Sequence, residues 1–264
     1  MIQRVQALNY RCLQYVDQPV DNFHVIVGPN GSGKSTFLDV VGFLGDLVGE
    51  GLDYAIANRT PDFRDLFWRR AGERFELAVD LEIPESRKQL LNGQPYTVVR
   101  YEVAVGEGKE TGELGIFAER VLLITPREAA REKQRTLFPI EPQPPTTLLT
   151  ARTPRKMKTV VNKVAGGNDN FYDETDKGWD HAFKLGPRKS ALASLPEDET
   201  KFPVTGWLKG VLIGGVQSLF LKSWLMRLPS PPAKPRRFLP DGSNLPWVIE
   251  KLRNDDPARF KEWV

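Results

Sequence analysis

Cysteine and histidine are scarce in this sequence, which has one Cys, at position 12, and two His, at positions 24 and 181. A single cysteine cannot form an intrachain disulfide. Two histidines far apart in the sequence do not supply the ligands of a structural zinc site. Any bound metal ion would therefore need oxygen ligands.

Long apolar segments are also missing. The longest nearly apolar run, residues 210–221, has 12 residues and contains Gln217, whereas a helix needs about 20 to cross a bilayer. Residues 1–8 lack an apolar core of signal-peptide length. These absences predict a soluble, cytoplasmic protein with no membrane partner.

The composition is that of a globular chain with an uneven charge distribution. Of 264 residues, 40% are hydrophobic and 27% are charged, with 22 Gly and 21 Pro, which excludes collagen-like and mostly disordered chains. Residues 1–125 carry a net charge of −5 and residues 126–264 one of +8. Most of the basic excess lies in residues 127–163. Two interpretations stay open: a solvated loop, or a surface for a phosphate-rich partner such as nucleic acid.

Hydrophobic periodicity predicts a strand, loop and helix at the N-terminus, followed by a meander. An opening strand is expected at residues 2–8 and a short buried strand at 23–27. A helix is expected at 34–44, with Phe37, Leu38, Val41 and Leu44 on one face. Three later runs with alternating or β-branched residues, at 74–83, 95–105 and 115–124, indicate an antiparallel meander. Further helices are expected at 62–70, 126–135, 189–195, 206–220, 245–252 with Asn244 as cap, and from Pro257 with Asp256 as cap.

Residues 28–36 read Gly-Pro-Asn-Gly-Ser-Gly-Lys-Ser-Thr and satisfy the Walker A pattern G-x-x-x-x-G-K-[S/T] between a predicted strand and a predicted helix. The glycines let the backbone curl so that N–H groups face phosphate oxygens, and the helix N-terminus adds positive charge. Lys34 can bridge the β- and γ-phosphates, and the Ser35 hydroxyl can ligate the Mg²⁺ of a nucleotide. The predicted nucleotide-binding residues are Gly28, Asn30, Gly31, Ser32, Gly33, Lys34, Ser35 and Thr36, with Ser35 as the magnesium ligand.

The loop interior resembles the phosphate loops of ABC-type ATPases, and residues 162–165, Asn-Lys-Val-Ala, lack the aspartate of a guanine-reading motif. Residues 8–11, Leu-Asn-Tyr-Arg, resemble the L-x-N-F-[R/K] entry of RecF, SMC and related ABC-type heads. Residues 101–103 and 117–121 resemble strand segments at corresponding positions in the antiparallel β subdomain of those heads. Residues 241–246, Asp-Gly-Ser-Asn-Leu-Pro, resemble a segment of a bacterial family of predicted ATPases with such heads.

This resemblance implies an α/β P-loop NTPase fold, namely the N-terminal lobe of an ABC-type ATPase that binds ATP with Mg²⁺. Residues 1–125 would form the P-loop core with its antiparallel β meander, and 126–240 a helical, proline-rich basic insertion. Residues 241–264 would form C-terminal helices that lead toward a missing second lobe. The resemblance also puts Arg11 near the nucleotide, although a surface arginine after a strand is the alternative.

Catalytic residues cannot be identified in the sequence. Hydrolysis in this class needs a Walker B aspartate and a following glutamate at the end of an apolar strand. Asp80 and Glu82 alternate along a strand of the meander, which predicts a solvated face. The serine-glycine signature that contacts the nucleotide bound by the partner subunit is also absent. Residues 241–243 are interpreted as a turn and helix cap. We therefore expect a fragment of a longer ATPase that is poorly active alone.

The predicted function is ATP binding and, in the complete protein, ATP hydrolysis by a head that acts as a nucleotide-driven switch. Such a head would form a homodimer around two nucleotides, with DNA or a nuclease as a further partner in repair or anti-phage defence. A non-enzymatic nucleotide-binding module that needs a partner subunit is the first alternative. A P-loop kinase is the second, and it would need an arginine-bearing lid, for which residues 127–135 are the candidate.

Overall fold

A computed structural model describes residues 1–108, 112–125, 143–151, 156–176, 178–230 and 238–263. The chain divides into two compact units, Met1–Gly215 and Val216–Val264. The first unit contains the whole sheet and the Walker A segment. The functional division of the chain at residues 125 and 240 stays a prediction.

The first unit is built on one antiparallel sheet of eight strands in the order β2-β1-β3-β4-β5-β6-β7-β8. Only β1 and β2 depart from sequence order, because β1 lies between β2 and β3. The strands are β1 (Ile2–Tyr10), β2 (Leu13–Pro19), β3 (Arg74–Glu82), β4 (Val98–Glu107), β5 (Leu114–Ile124), β6 (Met157–Val164), β7 (Asp169–Tyr172) and β8 (Trp179–Phe183). The opening strand and the meander of β3, β4 and β5 confirm the sequence-based prediction.

Seven helices accompany the sheet and the C-terminal unit within the described ranges. They are α1 (Lys34–Gly49), α2 (Leu52–Ala57), α3 (Glu85–Lys88), α4 (Pro203–Gly210), α5 (Ser223–Met226), α6 (Leu245–Asp255) and α7 (Pro257–Trp263). Short 3₁₀ segments lie at Phe63–Leu66, Trp68–Arg70 and Gln89–Leu91, and a π turn at Val211–Gly215 follows α4. The predictions of α1, α6 and α7 are confirmed. Asp256 accepts a hydrogen bond from the Arg259 N–H at 3.0 Å, as a cap should.

One face of the sheet packs against α1 and forms the core. Phe43 of α1 lies edge-on to Tyr10 and Phe75, with ring centroids 5.8 and 5.4 Å apart. All three side chains are buried, and burying one phenylalanine stabilises the fold by about 1.5–3 kcal/mol. The predicted apolar face of α1 is confirmed for Val41 and Leu44 and wrong for Leu38, which is 63% exposed. The other buried residues of the helix are Val40, Phe43, Leu47 and Val48.

The opposite face of the sheet is polar, and residues 147–150, which we call the strap, lie across it. Arg100 donates to Asp80 at 2.8 Å and to Glu102 at 2.6 Å. Glu102 in turn accepts from the N–H and hydroxyl of Thr150 at 2.8 and 2.7 Å. Glu76 accepts from the hydroxyl of Thr147 at 2.7 Å. These charges are buried but paired, as their desolvation requires.

Several predictions for the middle of the chain need correction. The segment expected to be a helical insertion contributes three strands, β6 to β8, because β5 offers its free edge to β6. Residues 189–195 form turns rather than a helix, and the helix expected at 206–220 is α4 with the π turn. The helix expected at 62–70 is two 3₁₀ segments, since Arg69 has a left-handed φ of 55°. The predicted helix at 126–135 lies outside the described residues.

Candidate functional site

The Walker A segment lies on the surface and continues into the first turn of α1. The left-handed Gly33, with φ 90° and ψ 7°, is the N-cap of the helix, and Gly31 has φ 81°. A side chain would strain either position. The N–H of Ser32 donates to the Pro29 carbonyl at 3.3 Å, which closes the bend. The loop is thus exposed and curled as a phosphate site requires.

The Lys34 amine points into this loop. Its Nζ donates to the carbonyl oxygens of Gly28 and Pro29 at 2.8 and 2.7 Å, and it lies 3.5 Å from the Ser32 hydroxyl. Backbone carbonyls are neutral acceptors, so a phosphate oxygen would be a stronger partner for the same ammonium group. The amine therefore sits where it could transfer from the loop to a bound phosphate.

The first turn of α1 supplies the remaining groups of the site. Because the helix begins at Lys34, the N–H groups of its first residues have no partner inside the helix. The Ser35 side chain is exposed, and within the described residues its hydroxyl makes no hydrogen bond. A free hydroxyl beside a lysine and a helix N-terminus fits the donor set of a nucleotide-bound Mg²⁺.

The turn between β1 and β2, residues 11–13, packs against the Walker A segment. The Cys12 thiol donates to the Thr36 hydroxyl at 3.2 Å. A Cβ atom built on Gly33 would lie 3.0 Å from Leu13 Cδ2 and 3.3 Å from Cys12 Sγ. Gly33 is therefore needed for this close approach as well as for its backbone conformation.

Asp39 of α1 connects that turn to the rest of the unit. Its carboxylate accepts from the Tyr10 hydroxyl at 2.7 Å, from Arg11 at 3.3 Å and from Arg59 at 2.8 Å. Burial lowers the pKa of Arg59, but its bonds to Asp39 and Asp46 outweigh burial and leave that pKa raised. Burial and the Asp39 charge raise the pKa of Tyr10. Tyr10 and Arg59 therefore keep their protons.

Sequence reasoning missed Asp39, Arg59 and Tyr10 as parts of this site. The available signal was a carboxylate about one helical turn beyond the Walker A motif, between the apolar residues Leu38 and Val40. The resemblance did single out Arg11, and the structure brings it to the turn beside the loop.

The prediction of a buried strand at residues 23–27 is wrong. This segment has no regular secondary structure, and Phe23, Val25 and Val27 are 84, 63 and 85% exposed. No strand pairs with it in the described part of the chain, and an unpaired strand lacks partners for its backbone. The alternation of apolar side chains alone did not produce a strand.

The other residues considered at the sequence level make local contacts. Asp80 is bonded to Arg100 on the polar face of the sheet, and Glu82 is exposed at the end of β3. In the C-terminal unit, Asp241 accepts from the Ser243 N–H at 2.9 Å. Asn244 precedes α6 but makes no capping bond; its side-chain oxygen accepts from Leu239 instead.

The Walker A sequence leads directly into α1, which packs on the sheet, whereas the strand that normally precedes this motif is not formed at residues 23–27. A family model described as "AAA domain, putative AbiEii toxin, Type IV TA system" matches residues 23–256, which is most of the chain. The chain belongs to this family of AAA ATPase domains, consistent with an ABC-type ATPase head. Family membership supports ATP binding and hydrolysis at the level of the family.

Two similar proteins add narrower matches. The OLD nuclease of Thermus scotoductus is 46% identical over 48 residues, which are 18% of this chain and only 9% of that protein. A solved structure from a study titled "Structural biochemistry of ATP-driven dimerization and DNA stimulated activation of SMC ATPases" is 22% identical. It covers 44% of this chain and 68% of that chain, with a TM-score of 0.33. That score is too low to define the fold. Among the described residues, no helix is long and apolar enough to span a membrane.

Proposed function

We propose that residues 28–36 bind ATP with Mg²⁺ and that the chain is the nucleotide-binding lobe of an ABC-type ATPase head in the cytoplasm. The observation that carries this proposal is the Lys34 amine, which two loop carbonyls hold inside the curled loop. The exposure of the loop and the free N–H groups at the start of α1 support it further.

Four residues of the loop have a definite part in this proposal. Gly31 and Gly33 adopt positive φ values so that backbone N–H groups can face the phosphates. Lys34 exchanges the carbonyls of Gly28 and Pro29 for β- and γ-phosphate oxygens. The Ser35 hydroxyl holds the metal ion, which would neutralise phosphate charge when bound. None of these residues removes a proton from water, so the loop binds and orients the nucleotide.

We propose that a second lobe supplies the missing Walker B and signature residues and covers the segment at residues 23–27. The exposed side chains of Phe23, Val25 and Val27 support this, because three alternating apolar residues beside the phosphate loop are costly in water. The complete protein would then form a homodimer around two nucleotides and couple ATP binding to a DNA transaction in repair or phage defence. Without that lobe, this chain would hydrolyse ATP poorly.

The same exposed segment favours one alternative, a non-enzymatic nucleotide-binding module whose partner subunit covers residues 23–27. Adding a candidate second lobe separates the two functions. Restored turnover supports a split ATPase, whereas a tight complex without turnover supports the module.

The direct test is titration of the purified chain with ATP and Mg²⁺ by calorimetry, with turnover measured in parallel. We expect weak binding in the micromolar range and little hydrolysis. Lys34→Ala should abolish binding, and Ser35→Ala should remove the dependence of affinity on Mg²⁺. Lys88→Ala, which removes an amine bonded to Glu85 outside the loop, is the control. Unchanged binding by Lys34→Ala would contradict the site, and vigorous hydrolysis would contradict the need for a second lobe.

A further inference from the structure

Asp39 is the meeting point of three elements that are distant in sequence. It belongs to α1, it receives Tyr10 and Arg11 from the end of β1, and it receives Arg59 from the segment after α2. Arg59 is almost fully buried, with 6% of its side chain exposed, and it also lies over the Phe43 ring. Its guanidinium is thus fixed in the core, which in turn fixes the orientation of the Asp39 carboxylate.

The β1–β2 turn contains a strained backbone position. Arg11 has a φ of 51°, in the left-handed region, which costs about 1 kcal/mol or more for a residue with an ordinary side chain. The Arg11 N–H donates to the Leu66 carbonyl at 2.8 Å. With the Tyr10 and Arg11 bonds to Asp39, this contact opposes relaxation of the turn.

The position of the turn matters because its residues Cys12 and Leu13 touch the phosphate loop. Cys12 bonds to Thr36. Cys12 and Leu13 also pack on Gly33, where a Cβ atom would lie 3.3 Å from Cys12 Sγ and 3.0 Å from Leu13 Cδ2. A turn that moved away would leave Gly33 uncovered and would release the Thr36 hydroxyl. The network around Asp39 thus ends at the groups proposed to receive the nucleotide.

We propose that Asp39 is a positioning residue of the nucleotide site, one that holds the turn at residues 11–13 against the phosphate loop and so couples the turn to nucleotide binding. This inference rests on the proposed function. Asp39 touches no phosphate-binding group itself and acts through Tyr10, Arg11 and the turn that follows them.

Asp46 provides a matched control on the same helix. Its carboxylate bonds to the same Arg59 guanidinium at 2.8 Å, and its side chain is 27% exposed against 22% for Asp39. Asp46 makes no contact with the β1–β2 turn in the described structure. Asp39→Asn and Asp46→Asn therefore each remove a charged partner of Arg59, but only Asp39→Asn also weakens the bonds from Tyr10 and Arg11 that hold the turn.

The chain's single cysteine reports the position of the turn without any label. Cys12 is exposed, and its thiol reacts with a colorimetric disulfide reagent at a rate that depends on its contact with Thr36. We would measure this rate with and without ATP and Mg²⁺ in the wild type and in the Asp39→Asn, Asp46→Asn and Tyr10→Phe variants. Nucleotide affinity is measured on the same samples by calorimetry.

In the wild type we expect ATP with Mg²⁺ to slow the thiol reaction. Asp39→Asn should react faster without nucleotide, should lose that protection and should bind ATP about tenfold more weakly, the effect of losing a charge-assisted bond. Asp46→Asn should match the wild type in both rate and affinity. Tyr10→Phe removes only the hydroxyl and keeps the fold and charge. Its thiol should therefore react at a rate between those of the wild type and Asp39→Asn.

Equal thiol rates for Asp39→Asn and Asp46→Asn would overturn the proposal, because Asp39 would then act only on stability through Arg59. Full nucleotide protection and unchanged affinity in Asp39→Asn would overturn it as well. A wild type that binds no ATP would instead refute the proposed function. In that case the nucleotide-free rates still decide whether Asp39 holds the turn.

Discussion

The buried carboxylate of Glu174 should make the stability of this protein fall as the pH rises toward neutrality. Glu174 is 0% exposed, and its two oxygens accept from the N–H groups of Val204 and Thr205, both at 2.7 Å, at the start of α4. Burial raises its pKa to about 7 even though these hydrogen bonds lower it. The carboxyl group therefore gains a proton on folding at mildly acidic pH.

The sign and size of the effect follow from proton linkage. Between the unfolded pKa of 4.5 and the folded pKa of about 7 the native state binds more protons than the unfolded state, so stability falls as the pH rises. A shift of about 2.5 units at about 1.4 kcal/mol per unit amounts to about 3 kcal/mol over the whole window. Outside this window Glu174 contributes no slope.

Urea unfolding between about pH 4.5 and about pH 7.5 would measure this loss. Glu174→Gln cannot titrate, so its curve should lack the slope regardless of its absolute stability. Asp173→Asn is the control, because hydrogen bonds from Thr175 and Asp176 oppose burial and lower the Asp173 pKa, out of this window. Parallel curves for the wild type and Glu174→Gln would refute the reasoning. Amide exchange at Val204 and Thr205 gives a local check.

Three further predictions concern packing and buried polar groups. Phe43→Ala should lower the free energy of unfolding by about 3–5 kcal/mol in urea titration, whereas Leu38→Ala, exposed on the same helix, should change it by less than about 0.5 kcal/mol. Gly45→Ala should cost about 1–3 kcal/mol and lower the melting temperature, because its Cβ would lie 2.6 Å from the Leu212 carbonyl oxygen; an unchanged melting temperature would contradict this contact. Glu119→Ala should cost about 3 kcal/mol or more in the same titration, since four donors, two of them backbone N–H groups, lose their acceptor; a smaller loss would mean that water replaces the carboxylate.

The part of the fold that the sequence predicted is the part with one clear apolar face. In β3, β4 and β5 every second residue enters the core, so alternation was visible in the chain itself. β6 was missed because its lysines suggested a solvated segment. Lys163 is in fact 3% exposed and bonded to Asp169 at 2.7 Å. The sequence alone does not distinguish a buried, paired lysine from a solvated one.

The sequence likewise predicted one part of the candidate site and missed another. Its phosphate loop was predicted because all of its groups lie within nine consecutive residues whose types and order have a direct chemical reason. The network around Asp39 was not predicted, since its partners come from positions 10, 11 and 59 and no local pattern links them. Residues 23–27 show the reverse error, because a strand depends on neighbours that periodicity cannot reveal.

The strap across the polar face has a consequence for how this protein can vary. Residues 147–150 add no strand to the sheet and are attached through the side chains of Glu76, Arg100, Glu102 and Arg120. Cutting or lengthening the chain there would break none of the ladder bonds that fix the strand register. Insertions there should therefore leave the strand pairing intact but destabilise the fold, because Glu76 and Glu102 would lose the donors on Thr147 and Thr150 that satisfy their buried charges.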